Sequence, residues 1–172
     1  MTTSTIESML ANTPLGRGLS ADDLSKLAAI ASVVDAGAGK TLFQEGDKAD
    51  QLYLVIHGLV GLDMCLPRQG CTRILTIGPG QFVGWSAIVG HGQMTTRASV
   101  LEPATLITFP GNQLETLFAQ DHDIGFQVMR QVAIGMSQRL TGTRLQMLDL
   151  FGETRPVAPP HYGSDKSSES GQ

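Results

Sequence analysis

The chain has 172 residues, 41% of them hydrophobic and 16% charged, with a formal net charge of −4. That length supports one domain with a sizeable core, and twelve Lys+Arg against sixteen Asp+Glu argue against a basic stripe gripping nucleic-acid phosphates. Two cysteines are too few for a disulfide scaffold. No run approaches the ~18–20 apolar residues of a membrane span, and no secretory leader is visible, so a soluble, cytoplasmic protein is expected.

Residues 1–14 read as a lead, 15–150 as the domain and 151–172 as a disordered tail. Ser20 is placed to cap a helix, with Asp23 three residues later in the position of a capping box. Leu24, Leu27, Ala28 and Ala31 follow at helical spacing. From Val33 to Phe109 the pattern changes to short runs: Lys40–Phe43, Gln51–His57, Leu59–Leu66, Thr72–Ile77, Met94–Val100 and Ala104–Phe109. Turn signals separate them, among them Glu45-Gly46-Asp47, His57-Gly58, Pro67–Gly70 and Gly78-Pro79-Gly80. Many short strands so spaced predict an antiparallel sandwich or roll. Leu114, Leu117 and Phe118 then mark a short helix, and Asp121 or Asp123 can cap a longer one running to about Leu150.

The long helix carries Met129, Val132, Met136, Leu140, Thr143, Met147 and Leu150 at steps of three and four. Such a stripe either lies on the roll or forms the seam of a homodimer. From Gly152 onward only Val157, Ala158 and Tyr162 are apolar, and Pro156, Pro159 and Pro160 interrupt local structure. That composition cannot bury enough surface to offset its ordering entropy.

Helix, roll and long terminal helix, with these glycines, resemble a cyclic nucleotide-binding domain of the catabolite activator type over roughly Leu15 to Leu150. Leu42 to Gly58, with its Glu45-Gly46-Asp47 turn, is similar to the family's first sequence block. Ile77-Gly78-Pro79-Gly80-Gln81-Phe82-Val83-Gly84 is similar to the approach to the ligand cassette, and Leu101-Glu102-Pro103 to the stretch beyond it. The resemblance implies an α+β, mainly β architecture: an antiparallel, jelly-roll-like β-roll with an N-terminal helix and a long C-terminal helix. It also implies a non-enzymatic sensor whose terminal helices move when the cassette captures a ligand. The family's regulators carry a helix-turn-helix after the long helix. Only residues 151–172 follow here, so a stand-alone domain without DNA binding is expected, acting as a homodimer or through a partner protein.

In that family a glutamate in the cassette accepts the ribose hydroxyl, and an arginine further along holds the cyclic phosphate with backbone amides of a short helix. An ungapped count puts Trp85 at the glutamate and Met94 at the arginine; Gly84 and Ala87 match. The candidate ligand-binding residues are therefore Gly84, Trp85, Ser86, Ala87, Met94, Thr95, Thr96 and Arg97. The amides of Ser86 and Ala87 remain available for a carboxylate or phosphate on this reading. Arg97 is the one nearby replacement cation. Strand alternation puts Met94, Thr96, Ala98 and Val100 on one face and Thr95, Arg97 and Ser99 on the other, which turns Arg97 away from the cassette. A bulge at Thr95-Thr96 would turn it back. Trp85 and Met94 either fill the pocket or form a stacking wall for a flat ligand.

No cofactor or metal is assigned. The histidines His57, His91, His122 and His161 stand singly, without the His-x-His pair of a metal-binding cupin. His57 reads as a surface residue, and His91 lies in the cassette turn. Cys65 and Cys71 flank the Pro67–Gly70 turn and read as two reduced, partly buried thiols. A redox-sensitive pair and haem ligation are the alternatives; an iron–sulfur cluster, wanting four cysteines, is excluded on count.

Overall fold

The computed structural model describes residues 2–66, 70–90 and 92–151. Its elements are α1 (Thr3–Ala11), α2 (Ala21–Ile30), β1 (Ser32–Ala36), β2 (Thr41–Phe43), β3 (Gln51–Leu66), β4 (Gly70–Ile77), β5 (Phe82–Val83), α3 (Ser86–Val89), β6 (Arg97–Pro110), α4 (Gly111–Gln120) and α5 (His122–Phe151). The middle of the Pro67–Gly70 turn, His91, His161 and the tail from Gly152 lie outside the described residues.

The six strands form one antiparallel sheet in the order β1-β6-β3-β4, with β2 on β6 and β5 on β3. Helices gather at one end, giving the β-roll with flanking helices that the resemblance implies. Four runs expected as separate strands join, two by two, into β3 and β6. β3 passes through Gly58 at φ 81°, and β6 passes through Pro103. Pairing steps from His57↔Thr105 to Leu59↔Glu102, so Pro103, which has no N–H to offer, falls where the ladder is interrupted. The kink also changes which side chains face inward on β3. Before it Tyr53 and Val55 point into the roll; after it Val60 and Leu62 do. A one-residue change of parity is the signature of a shifted register.

Two clusters of apolar side chains follow from this arrangement. Val55, Val60, Leu62, Ile77, Val83, Ala98, Val100 and Leu106 fill the roll. Leu52, Leu54, Ile107 and Phe109, on the other face of β3 and β6, pack against the helices through Leu27, Leu114, Ile124, Val128 and Val132. The lead expected before Leu15 is part of this second core: Ile6 and Leu10 of α1 are buried in it. Ile6, Met9 and Leu10 have the i, i+3, i+4 spacing of an amphipathic helix, and α1 packs into this core through them.

Local signals fix the helix starts. Ser20 and Asp23 form the reciprocal capping box on α2, with Asp23 N–H donating to Ser20 Oγ at 3.2 Å and Ser20 N–H to Asp23 Oδ2 at 2.9 Å. Asp121 accepts from the Ile124 N–H at 3.3 Å at the start of α5 and takes Lys26 Nζ of α2 at 2.8 Å. That pair ties the N-terminal helices to α5. It holds the Asp121 carboxyl below the ordinary carboxylate range, chiefly through the Lys26 hydrogen bond.

Along α5 the apolar stripe divides. Ile124, Val128 and Val132 are buried, whereas Met136 is 44% and Leu140 53% exposed; Phe126, Ile134 and Leu145 are exposed as well. The side chains of Met147 and Leu150 lie outside the described residues. The stripe from Met136 to Thr143 is therefore not roll core.

Cys65 and Cys71 correct an expectation. They are direct cross-strand partners on β3 and β4, and their sulfurs are joined in a disulfide rather than standing as two thiols. The antiparallel register of β3 and β4 brings the two residues face to face.

Candidate functional site

The cassette is built where β5 leaves the sheet. Val83 pairs with Tyr53 of β3, the chain turns at Gly84, and Trp85 leads into the single turn of α3. On the far side, Met94 is gripped by the Glu45-Gly46-Asp47 turn: Gly46 N–H donates to the Met94 carbonyl and Met94 N–H to the Asp47 carbonyl, both at 2.8 Å. Asp47 is itself fixed by accepting from the Gln44 N–H at 2.7 Å. The acidic turn thus positions the cassette's return strand.

Between these walls lies a cavity lined by Phe43, Leu62, Gly84, Trp85, Ser86, Met94, Thr95, Thr96 and Arg139, with about 10 Å³ of free volume. That is about the room one water needs. Met94 is buried, and Trp85 packs against the helical core. Arg139, from α5, lies with its guanidinium carbon 5.5 Å from the centre of the Trp85 ring, within cation–π range. Burial pulls the Arg139 pKa down from its ordinary value. A second tie, Gln81 Nε2 to Gln138 Oε1 at 3.1 Å, holds the same stretch of α5 beside β5.

Six of the eight candidate residues meet at this cavity: Gly84, Trp85, Ser86, Met94, Thr95 and Thr96. Ala87 and Arg97 do not. Ala87 is turned toward Gly111 at the start of α4, and its amide donates to the Gly84 carbonyl at 3.1 Å, so that amide is committed within the chain. Arg97 occupies the opposite face of β6, where its Nη2 donates to Thr41 Oγ1 at 3.4 Å. It neighbours Asp63, its cross-strand partner. β6 begins only at Arg97, and the preceding residues are irregular enough for both Thr95 and Thr96 to reach the cavity.

Arg97 belongs instead to a polar cluster on the outside of the roll. Asp63 is paired with Arg73 Nε and accepts from Arg73 Nη2 and from Ser99 Oγ, both at 3.3 Å. The Arg73 guanidinium holds the Asp63 carboxyl below the ordinary carboxylate range. A depressed folded pKa contributes stability that is present above the unfolded value and is lost as pH falls through the folded one, here below about pH 4. Asp63→Asn is expected to lower stability near neutral pH by about 1–3 kcal/mol and to flatten the acid limb of the profile. Urea unfolding across the acid range measures both effects, and an unchanged midpoint at neutral pH would contradict them.

Sequence reasoning missed Phe43, Leu62 and Arg139. Arg139 had a legible signal, because it falls seven residues after Val132, two helical turns on and hence on the inward face of α5.

An antiparallel roll with a short helix between β5 and β6, closed by a long terminal helix, is the architecture of cyclic nucleotide-sensing regulatory domains. A model of the cyclic nucleotide-binding domain matches residues 33–121, and the chain belongs to that family. It is 27% identical over 147 residues to the CRP-like cAMP-activated global transcriptional regulator of Mycobacterium tuberculosis, an alignment covering 85% of this chain and 63% of that regulator. The chain therefore spans about two-thirds or less of that relative's length. Among solved structures it is similar to the N-terminal domain of a transcriptional regulator from Streptomyces coelicolor, with a TM-score of 0.61 and 28% identity over 81% of this chain and 95% of that one. It shares its fold with the Thermus thermophilus catabolite activator protein, with a TM-score of 0.64 and 23% identity over 81% of this chain and 63% of that one. Among the described residues no helix is long and apolar enough to cross a membrane.

Proposed function

We propose that this chain is a non-enzymatic, ligand-sensing regulatory module whose cassette no longer reads cyclic nucleotides in the family's way, and that it signals through α5 to a second copy of itself. One observation carries the reading: the two positions that resemble the family's polar determinants hold Trp85 and Met94, which wall a cavity of about 10 Å³. Arg97 does not compensate, since it bonds to Thr41 on the other face of β6. Loss of two charge-assisted hydrogen bonds, each contributing about 1.5–3 kcal/mol, weakens a ligand by roughly two to four decades.

The output surface is the exposed part of α5. Met136, Leu140 and Leu145 stand in water on a helix whose inner face reaches the cassette through Arg139. A parallel pairing of two such helices buries those side chains and links cassette occupancy to the arrangement of the dimer. Cytoplasmic placement goes with this reading, and in a reducing cytoplasm the Cys65–Cys71 bridge opens to two thiols.

Sedimentation of the full chain tests the assembly. The wild type is expected to run as a dimer, and Leu140→Glu as a folded monomer with the circular dichroism spectrum of the wild type, because Leu140 is outside the roll core. A wild-type monomer at micromolar concentration would contradict the dimer.

A further inference from the structure

Cys65 and Cys71 are the chain's only cysteines, and neither lines the cassette. They are direct cross-strand partners near the end of the β3–β4 ladder, which closes one pair further on at Leu66↔Gly70. Cys71 is exposed and Cys65 half-buried. Their bond joins residues six apart in sequence, on strands that already pair from Val60↔Ile77 onward. So short a loop removes less entropy from the unfolded chain than a long one does, and the bridge is no staple of the core.

The neighbouring rung supplies the chemistry. Side chains two residues apart on a strand share a face, so Asp63 and Arg73 flank the cysteines on the outside of the roll. Asp63 is paired with Arg73 and is also the cross-strand partner of Arg97, which places two guanidiniums around one carboxylate. Arg97 Nη2 donates to Thr41 Oγ1 at 3.4 Å, and its Nε is buried without a partner among the described residues. Reactive thiols are accessible and lie beside cations, which favour the thiolate that attacks a disulfide.

We propose that Cys65 and Cys71 form a thiol-modification site that exchanges with small anionic disulfides, Cys71 being the entry sulfur and Cys65 the resolving one. In the reduced chain the Cys71 thiolate attacks one sulfur of the small disulfide. A mixed disulfide forms on Cys71, and one small thiolate leaves. The Cys65 thiolate then attacks Cys71 Sγ, the second small thiolate leaves with the bonding electron pair, and the Cys65–Cys71 bond closes. The chain gives up two electrons and two protons, and the small disulfide takes them as two thiols. Closure ties β3 to β4 beyond the register shift at Leu62 and Asp63. The site lies apart from the cassette and does not depend on what that cavity binds.

The test uses the full chain, reduced and freed of reductant, with oxidised glutathione as the anionic disulfide and cystamine as the cationic one. Intact mass follows the reaction, and circular dichroism checks that each variant is folded. The wild type is expected to end as the bridged chain with no retained adduct, and to return to two thiols in excess reduced glutathione. Cys65→Ser is expected to keep one glutathione on Cys71. Cys71→Ser is expected to take glutathione at least about tenfold more slowly, because Cys65 is the less accessible sulfur. Raising the salt concentration is expected to slow the reaction of Cys65→Ser with oxidised glutathione and not that with cystamine. The chain's net charge of −4 would by itself give the reverse order. Equal rates in the two variants would overturn Cys71 as the entry sulfur, and a stable adduct on the wild type would overturn the resolving step. A salt dependence that is alike for the two reagents, or reversed, would overturn the guidance by the arginines. None of these results bears on cyclic nucleotide binding, so the reading of the cassette stands or falls separately.

Discussion

Trp85→Glu combined with Met94→Arg is expected to raise the affinity for cyclic AMP by roughly two to four decades over the wild type. The glutamate restores an acceptor for a ribose hydroxyl, and the arginine restores a forked donor for the cyclic phosphate. Both positions border the same cavity, so the two groups converge on one ligand. The single variants are expected to gain less than half as much. Met94→Arg alone sets a second guanidinium beside Arg139, and like charges in a confined site repel. Trp85→Glu alone places its carboxylate against Arg139, which captures it. The double variant lacks tryptophan, so the measurement is calorimetric. A folded double variant that ignores both cyclic AMP and cyclic GMP would mean that the residues at the determinant positions have been misaligned.

Gly58→Ala is expected to destabilise the fold by about 2–4 kcal/mol, of which about 1–2 kcal/mol comes from forcing an L-residue into the left-handed region. Gly58 has φ 81°, and a Cβ there would run into the Pro103 carbonyl oxygen and lie 2.7 Å from Ala104 Cα. Both are backbone atoms that cannot rotate aside. The kink they surround changes the inward-facing parity of β3, so relaxing it would turn Val60 and Leu62 out of the roll or Tyr53 and Val55 out of it. Gly39→Ala is the control: φ is 84° but nothing lies within 4 Å of a Cβ, and only the conformational part of the loss is expected. Urea unfolding with unchanged slope and a lowered midpoint is the signature. Equal losses at the two glycines would remove the steric account.

What could be read from the residues follows how local each signal is. The Ser20–Asp23 capping box and the Asp121 cap involve groups three residues apart, and both helix starts were legible from one turn of sequence. The Glu45-Gly46-Asp47 turn was legible as a turn, but its grip on Met94 joins segments that only the roll brings together. Gly58 reads as part of a turn, and Pro103 falls between two expected runs. Opposite one another on two strands they interrupt the same ladder, and the strands continue past them. β5 has two residues, too few for an alternation pattern, and its existence depends on pairing with Tyr53 and Leu54. The helix α1 had a readable apolar spacing in Ile6, Met9 and Leu10, yet its short, polar surroundings concealed that it completes the core.

The site divides in the same way. Gly84, Trp85, Ser86, Met94, Thr95 and Thr96 are near neighbours in sequence and were found together. Arg97 is adjacent to them but lies across the sheet, which strand alternation allows one to infer. Arg139 is distant in the chain, and its side chain reaches the cassette only because Ile124, Val128 and Val132 anchor the preceding turns of α5 in the core. The cysteines were read through the chemistry of their expected compartment, whereas their pairing follows from register: Cys65 and Cys71 face one another across β3 and β4.

The claim on which the account turns is that this family member does not read cyclic nucleotides through its cassette. Trp85 is the only tryptophan in the chain and forms a wall of that cavity, so its emission reports occupancy directly. Cyclic AMP and then cyclic GMP are titrated into the wild-type chain while that emission is followed, with calorimetry to detect binding that leaves the fluorescence unchanged. The account predicts no saturation below millimolar ligand by either method. Saturation at micromolar cyclic nucleotide would contradict it, and would mean that Arg97 or Arg139 reaches the cyclic phosphate in the bound state.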